Sequence, residues 1–61
     1  MKFRRRVERF LRQRRMSPTR FGLETVGDPR FVFDLRTGRK PRLLTVARVD
    51  AWLDRHEAGR R

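Results

Sequence analysis

The sequence has no cysteine and no tyrosine, and only seven of its 61 residues are acidic. Without cysteine, neither a disulfide nor a thiolate metal site can stabilise the fold. No apolar run approaches the ~20 residues that a membrane-spanning helix needs, and the N-terminus lacks the apolar core of a signal peptide. We therefore expect a single domain, residues 1–61, that works in the cytoplasm without membrane contact.

Positive charge is what the sequence has in excess. Eighteen Lys and Arg residues, sixteen of them Arg, stand against seven Asp and Glu residues, which gives a formal net charge of +11. The planar guanidinium group of Arg matches the geometry of phosphate groups and of guanine edges. A polyanion is therefore the expected partner, and nucleic acid is the first candidate.

Apolar residues recur at spacings of three and four in four segments of the chain, a pattern typical of amphipathic helices. We predict an all-α, compact four-helix domain with helices at about residues 2–15, 18–26, 29–37 and 43–57. A chain of this size buries only roughly 60% of its unfolded surface, so its stability is expected to be marginal.

The first predicted helix carries one narrow apolar stripe on an otherwise basic surface. The stripe consists of Phe3, Val7, Phe10 and Leu11. The simplest interpretation is a helix that packs this stripe into the core and exposes a basic back, with phosphate contact near Arg14 and Arg15. A helix lying on a membrane surface and an arginine-rich RNA-binding helix are the two alternatives.

The second and third predicted helices are short and joined tightly. Ser17 followed by a proline is a helix start, and Gly27 is a stop because glycine accepts the left-handed conformation. Asp28 and Pro29 repeat the start signal. Gly22, inside the second helix, is interpreted as a point of close backbone approach to the first or third helix. Two such helices are expected to cross steeply, as in a helix-turn-helix.

The third predicted helix has an apolar side and a mixed side. Phe31, Val32 and Leu35 are expected to face the core. The mixed side consists of Arg30, Phe33, Asp34 and Thr37. Phe33 is large and apolar where a polar residue is expected. It either packs against a neighbouring element or a second subunit, or contacts a thymine methyl or sugar carbons in a DNA groove.

Gly38 is expected to end the third helix, and a basic loop, GRKPR, follows at residues 38–42. The fourth helix begins at Arg42 or, with a side-chain cap, at Thr45. Its predicted apolar face consists of Leu43, Val46, Val49, Trp52 and Leu53. The acidic residues of the chain concentrate on this helix, at Asp50, Asp54 and Glu57, and that face is expected to point away from DNA.

These elements, in this order, resemble the phage repressor/Cro (XRE-like) helix-turn-helix family, and small alphaproteobacterial and prophage regulators of this type. The resemblance covers about residues 3–56 and is strongest from Ser17 to Thr45. The positions that match the family pattern are Phe21, Gly22, Val32, Leu35, Gly38, Pro41, Leu43 and Thr45. The resemblance implies a lambda-repressor-like fold whose third helix enters the DNA major groove.

The resemblance also implies DNA contacts at particular residues. Phosphate contact is expected from Ser17 and Thr19 before the turn, and from Arg39, Lys40 and Arg42 after the third helix. The groove-facing residues would be Asp28, Arg30, Phe33, Asp34 and Thr37. The two acidic residues among them depart from the family pattern. They would cap a helix, orient Arg30, or accept a hydrogen bond from a cytosine amino group.

The function expected from these features is that of a sequence-specific double-stranded DNA-binding transcription regulator at the nucleoid. A phage excision or packaging accessory, an architectural DNA-binding protein and an RNA-binding basic peptide are the alternatives. The lone His56 has no catalytic partners, so we expect neither an enzyme nor any cofactor or metal. The expected protein partners are a second copy, in a weak or DNA-dependent homodimer, and RNA polymerase or another regulator.

Overall fold

The computed structural model describes residues 2–58, which form four helices and no strand. Helix α1 spans Lys2–Arg14, α2 spans Pro18–Val26, α3 spans Phe31–Arg36 and α4 spans Leu43–Ala58. The predicted all-α class with four helices in this order is confirmed. The first, second and fourth helices lie within one residue of their predicted bounds, whereas α3 is shorter.

The core draws apolar residues from all four helices. They are Val7, Phe10, Leu11, Phe21, Phe31, Val32, Leu35, Val49, Trp52 and Leu53. At its centre the rings of Phe10, Phe21 and Trp52 pack against one another with centroids 5.4 to 5.8 Å apart. Aromatic pairs at such distances contribute about 0.5–1.5 kcal/mol beyond their buried area. This cluster therefore joins α1, α2 and α4.

The apolar stripe of α1 faces this core, as predicted. Val7, Phe10 and Leu11 are buried, and the ring of Phe3 lies edge-on to that of Phe31 at 6.4 Å. The helix ends where Arg15 takes a left-handed conformation, with φ of 53°. The chain then turns towards α2. The basic side of α1, opposite its buried apolar stripe, is exposed.

The predicted apolar face of α4 is wrong at its first residue. Val49, Trp52 and Leu53 are buried and Val46 is half-buried, but 88% of Leu43 is exposed. On an α-helix, two residues that are three positions apart differ by about 60° in their direction around the helix axis. Successive steps of three back from Trp52 therefore place Leu43 about 180° away from it, on the outer side of α4.

The predicted start of α3 at Pro29 is also wrong, because the helix begins at Phe31. The carboxylate of Asp28 accepts a hydrogen bond from the amide of Arg30 at 2.9 Å. The amide of Phe31 donates to the carbonyl oxygen of Asp28 at 3.2 Å. The Asp-Pro start signal therefore closes a turn before the first helical residue. Gly38, with φ of 94°, ends α3 as expected.

Gly22 of α2 lies directly against the turn that leads into α3. A Cβ atom at this position would lie 2.1 Å from the carbonyl oxygen of Asp28 and 3.3 Å from the Cβ of Phe31. No side chain fits at the first of these distances, so the predicted close approach is confirmed. Gly22 thereby sets how closely α2 and the start of α3 pack.

Replacing Gly22 with alanine is expected to destabilise the domain by about 1–3 kcal/mol, because the added methyl overlaps backbone atoms. In an unobstructed helix the same change stabilises by about 1 kcal/mol, so the sign of the effect tests the contact. Denaturant unfolding followed by circular dichroism measures it. The control, Leu23→Ala at an exposed position of α2, should change stability by less than about 0.5 kcal/mol. A Gly22→Ala protein as stable as wild type would contradict the contact.

Candidate nucleic-acid interface

All seven Asp and Glu side chains of the chain lie in residues 2–58, and each accepts a hydrogen bond there. The largest group is on α4, where Asp50, Asp54 and Glu57 converge on the guanidinium group of Arg6 in α1. The distances from Arg6 to Asp50 and to Glu57 are 3.0 Å. These hydrogen bonds, the one to Asp54 foremost, raise the pKa of Arg6 above its ordinary value. The acidic side of α4 is therefore turned towards α1.

A second ion pair joins α1 to α3. The guanidinium group of Arg36 donates to both carboxylate oxygens of Glu8, at 2.7 and 2.9 Å. These hydrogen bonds, with the nearby charges of Arg36, Arg4 and Arg12, hold the pKa of Glu8 below its ordinary value. Arg36 lies on the short helix predicted to contact DNA, but it is used to attach that helix to α1.

The three remaining carboxylates are bound locally. Glu24 pairs with Arg20 one turn away in α2, and Asp34 lies 3.4 Å from the guanidinium group of Arg39. Asp28 accepts from a backbone amide, as described above. The carboxylate of Asp28 holds the turn before α3 and does not cap the helix itself, whose N-cap residue is Arg30. No carboxylate among residues 2–58 is left without a hydrogen-bond donor.

Most of the positive charge, in contrast, has no acidic partner. Of the sixteen Lys and Arg residues in residues 2–58, four pair with carboxylates, which leaves twelve. One of these, Arg14, donates to the carbonyl oxygen of His56 at 2.6 Å and lies over the ring of Phe10. Arg14 therefore supports the packing of α1, where phosphate contact had been predicted. The other unpaired cations are exposed.

The basic loop and the two ends of α3 enclose a cleft of about 380 Å³. Five of the predicted site residues line it: Asp28, Asp34, Arg39, Lys40 and Arg42. The structure thus brings together the cations that follow α3 with the two acidic residues of the predicted groove face. Arg39 pairs with Asp34, which leaves Lys40 and Arg42 as the cations of this cleft without a carboxylate partner among residues 2–58.

A smaller neighbouring cleft adds a residue that the sequence pattern missed. Arg4 of α1 lines it together with Arg39 and Lys40 of the basic loop. Arg4 has no carboxylate partner among the described residues and is exposed. Nothing in the local sequence distinguishes Arg4 from Arg5. The packing of α1 against α3 decides that Arg4 lies beside the basic loop.

The predicted residues Arg30, Phe33 and Thr37 lie outside the cleft, on the exposed surface of α3 and its flanking turns. The hydroxyl of Thr37 donates to the carbonyl oxygen of Asp34 at 2.7 Å. Phe33 is 45% exposed, and the guanidinium group of Arg36 lies 5.8 Å from its ring centre. Phe33 is therefore available for contact with a second molecule, and both interpretations of it stay predictions.

Ser17 and Thr19 stand apart, at the start of α2. The hydroxyl of Ser17 accepts from the amide of Arg20 at 3.1 Å, as its predicted capping role requires. Thr19 is exposed. Neither residue lines the cleft, so their predicted phosphate contacts depend on a partner that reaches from the basic loop to this helix end.

The comparisons with known proteins gave no match. A scan against protein-family models found no family, and neither the curated proteins nor the solved structures gave a match. The resemblance to the phage repressor/Cro family therefore stays a prediction from the residues that carry it. Among residues 2–58, none of the helices has the length and apolar character needed to cross a membrane.

Replacing Glu8 with glutamine is expected to lower the free energy of unfolding at neutral pH by about 0.5–1 kcal/mol, the range for a partly exposed pair of good geometry. Because the folded-state pKa of Glu8 lies below its ordinary value of 4.5, this stabilisation is present above that pH. It is lost as the pH falls through the folded-state pKa. The difference between wild type and variant should therefore disappear in acid.

Urea unfolding across the acidic pH range measures this effect. Glu24→Gln is the matched control, since it removes an ion pair within α2 that joins no two helices. Its expected cost is about 0.3–0.5 kcal/mol. A difference between Glu8→Gln and wild type that persists unchanged into acid would show that the ion pair is not its cause.

Proposed function

We propose that this protein binds double-stranded DNA as a sequence-specific transcription regulator. The observation that carries the proposal is the distribution of charge. Every Asp and Glu side chain of residues 2–58 is bound within the fold, while Arg30 in the turn before α3 and Lys40 and Arg42 in the loop after it have no carboxylate partner among those residues. A surface of this kind attracts the phosphate backbone of DNA.

The two short helices supply a geometry for this contact. In the proposal, α2, the turn at residues 27–30 and α3 act as a helix-turn-helix, with α3 in the major groove. Lys40, Arg42 and the more weakly held Arg39 contact phosphates on one side of it. Ser17 and Thr19 contact phosphates at the start of α2. Phosphate contacts of this kind position the protein, and base contacts specify the sequence.

Arg30 is the proposed base reader. It is exposed beside the first turn of α3, and its side chain pairs with no carboxylate of residues 2–58. Its backbone is fixed by the hydrogen bond to Asp28. Arg donates two hydrogen bonds to guanine, a pairing that discriminates by about 1–3 kcal/mol against the wrong base.

A second candidate function is that of an architectural or phage-accessory protein that binds DNA with little sequence preference. The observation that favours it is the length of α3. Its six residues extend only about 9 Å, and its one cation, Arg36, is paired with Glu8, which leaves Arg30 in the turn before it as the nearest cation without a carboxylate partner among the described residues. Few base contacts and many phosphate contacts give affinity without much specificity.

Substitution of Arg30 and Lys40 separates these two functions. For a regulator, Arg30→Ala is expected to weaken binding to its specific site by about 10- to 100-fold, with a smaller loss on unrelated DNA. Lys40→Ala should weaken both kinds of binding similarly and reduce the salt dependence by about one phosphate contact. Selection of sites from a random duplex pool, followed by fluorescence anisotropy at several salt concentrations, measures these effects.

Arg55→Ala is the control, because it removes the same charge from an exposed position on α4. If selection recovers no preferred site and the duplexes are still bound, the architectural function replaces the regulator. If duplex binding is absent and single-stranded RNA is bound, both are wrong.

We further propose that two copies associate through the outer side of α4, weakly or on DNA. Leu43 and Leu44 are 88% and 85% exposed, and Ala47 and Ala51 continue the same side of the helix. An exposed apolar surface of this kind is typical of a contact between protein chains. A regulator with these properties would work at the nucleoid, and RNA polymerase or another regulator would be its further partner.

The paired substitution Leu43→Ser and Leu44→Ser is expected to weaken self-association by about tenfold or more, because it removes two large side chains from an apolar contact. Their exposure means that folding should be little affected. Sedimentation velocity with and without duplex DNA measures association. The control is Leu23→Ser, at a half-exposed position on α2. A wild-type protein that stays monomeric at high concentration, free and on DNA, would rule the dimer out.

A further inference from the structure

The outer side of α1 carries four cations in one line, which we call the α1 basic stripe. They are Lys2, Arg5, Arg9 and Arg12. Their spacings of three and four place them within about 80° of one another around the helix, opposite the buried Val7 and Phe10. All four are exposed. The α1 basic stripe is therefore a continuous positive surface, separate from the cleft at α3.

Ion pairs border the α1 basic stripe on both sides. On one side Glu8, the only acidic residue of α1, is held by Arg36 of α3. On the other side Arg6 takes the three carboxylates of α4. No Asp or Glu of residues 2–58 pairs with a cation of the stripe. Like charges at these spacings destabilise a helix, and a bound polyanion relieves that repulsion.

The chemistry of α1 favours a nucleic acid over a membrane surface. A helix that lies on a membrane inserts an apolar face beside its basic one. Here Val7, Phe10 and Leu11 are in the core, so the stripe has no apolar residues of its own helix to insert. The stripe extends about 15 Å, which is about the rise of four base pairs along the axis of a DNA duplex.

We propose that the α1 basic stripe binds the phosphate backbone of a second DNA duplex, so that one protein molecule bridges two duplexes. The inference rests on the proposed DNA binding at α3. A single duplex covering both surfaces would have to cross the carboxylate of Glu8, whose side chain is 30% exposed between them. Two duplexes, one on each surface, avoid that carboxylate.

The test uses the full chain and two short duplexes, one labelled with a fluorescence donor and one with an acceptor. Energy transfer between them reports bridging, and anisotropy of either duplex alone reports ordinary binding. Wild-type protein should raise the transfer signal at low ratios of protein to DNA and lose it in excess. The paired substitution Arg5→Gln and Arg9→Gln should reduce that signal about tenfold, since each lost phosphate contact weakens binding, with a smaller effect on anisotropy.

The matched control is Arg48→Gln with Arg55→Gln, because these exposed cations of α4 also lack a carboxylate partner among the described residues. This control should keep most of the bridging. The Leu43→Ser and Leu44→Ser protein should also keep it, since a dimer would otherwise be the bridge. Circular dichroism checks that each variant folds.

The outcomes separate the two proposals. Absence of duplex binding by the wild type would overturn the DNA-binding proposal itself. Duplex binding without energy transfer would overturn only the role of the α1 basic stripe. Energy transfer that survives the Arg5 and Arg9 substitutions would also overturn that role. The same holds if the control substitutions reduce energy transfer as strongly as the Arg5 and Arg9 substitutions do. Capture of anionic phosphatidylserine vesicles that depends on Arg5 and Arg9, with bridging unaffected, would assign the stripe to a membrane instead.

Discussion

The ion pairs that hold α1 against α3 and α4 are the interactions on which the rest of the structure depends. A small chain with a net charge of +11 has a modest core and strong self-repulsion. Arg6 and Glu8 oppose that repulsion at the two seams where α1 meets its neighbours. Four of the seven Asp and Glu side chains act at these seams and the other three are bound locally, so most of the exposed cations of residues 2–58 have no carboxylate partner.

Much of the fold could be predicted from the sequence, because its signals are local. The stripe of Phe3, Val7 and Phe10 and the start signal at Ser17 depend on spacing and on single residue types. Leu43 was wrongly assigned to the apolar face because residues spaced only by three move steadily around the surface of a helix. The start of α3 was misplaced because an Asp-Pro pair caps a turn as readily as a helix.

The candidate site was less accessible to sequence reasoning, because its arrangement depends on contacts between distant residues. The basic loop is visible in the sequence, but its proximity to Arg4 follows from the packing of α1. Likewise, nothing near Arg36 or Arg14 in the sequence shows that the fold uses both side chains. The arginines therefore differ in role according to their contacts. Those that reach a carboxylate or a carbonyl oxygen support the fold, and the others stay exposed on the surface.

This division has a consequence for specificity. Exposed cations that no carboxylate restrains adapt readily to phosphates, whose positions are the same in every sequence. Reading a base instead requires a donor held in place before the DNA arrives, because a loosely held side chain pays a larger entropic cost on binding. Beside α3, Arg30 is held only through its backbone amide, which donates to Asp28, and its side chain pairs with no carboxylate of residues 2–58. The same shortage of acidic residues on which the proposed DNA binding depends therefore leaves few groups to orient the arginines, and we expect any sequence preference to depend on that turn.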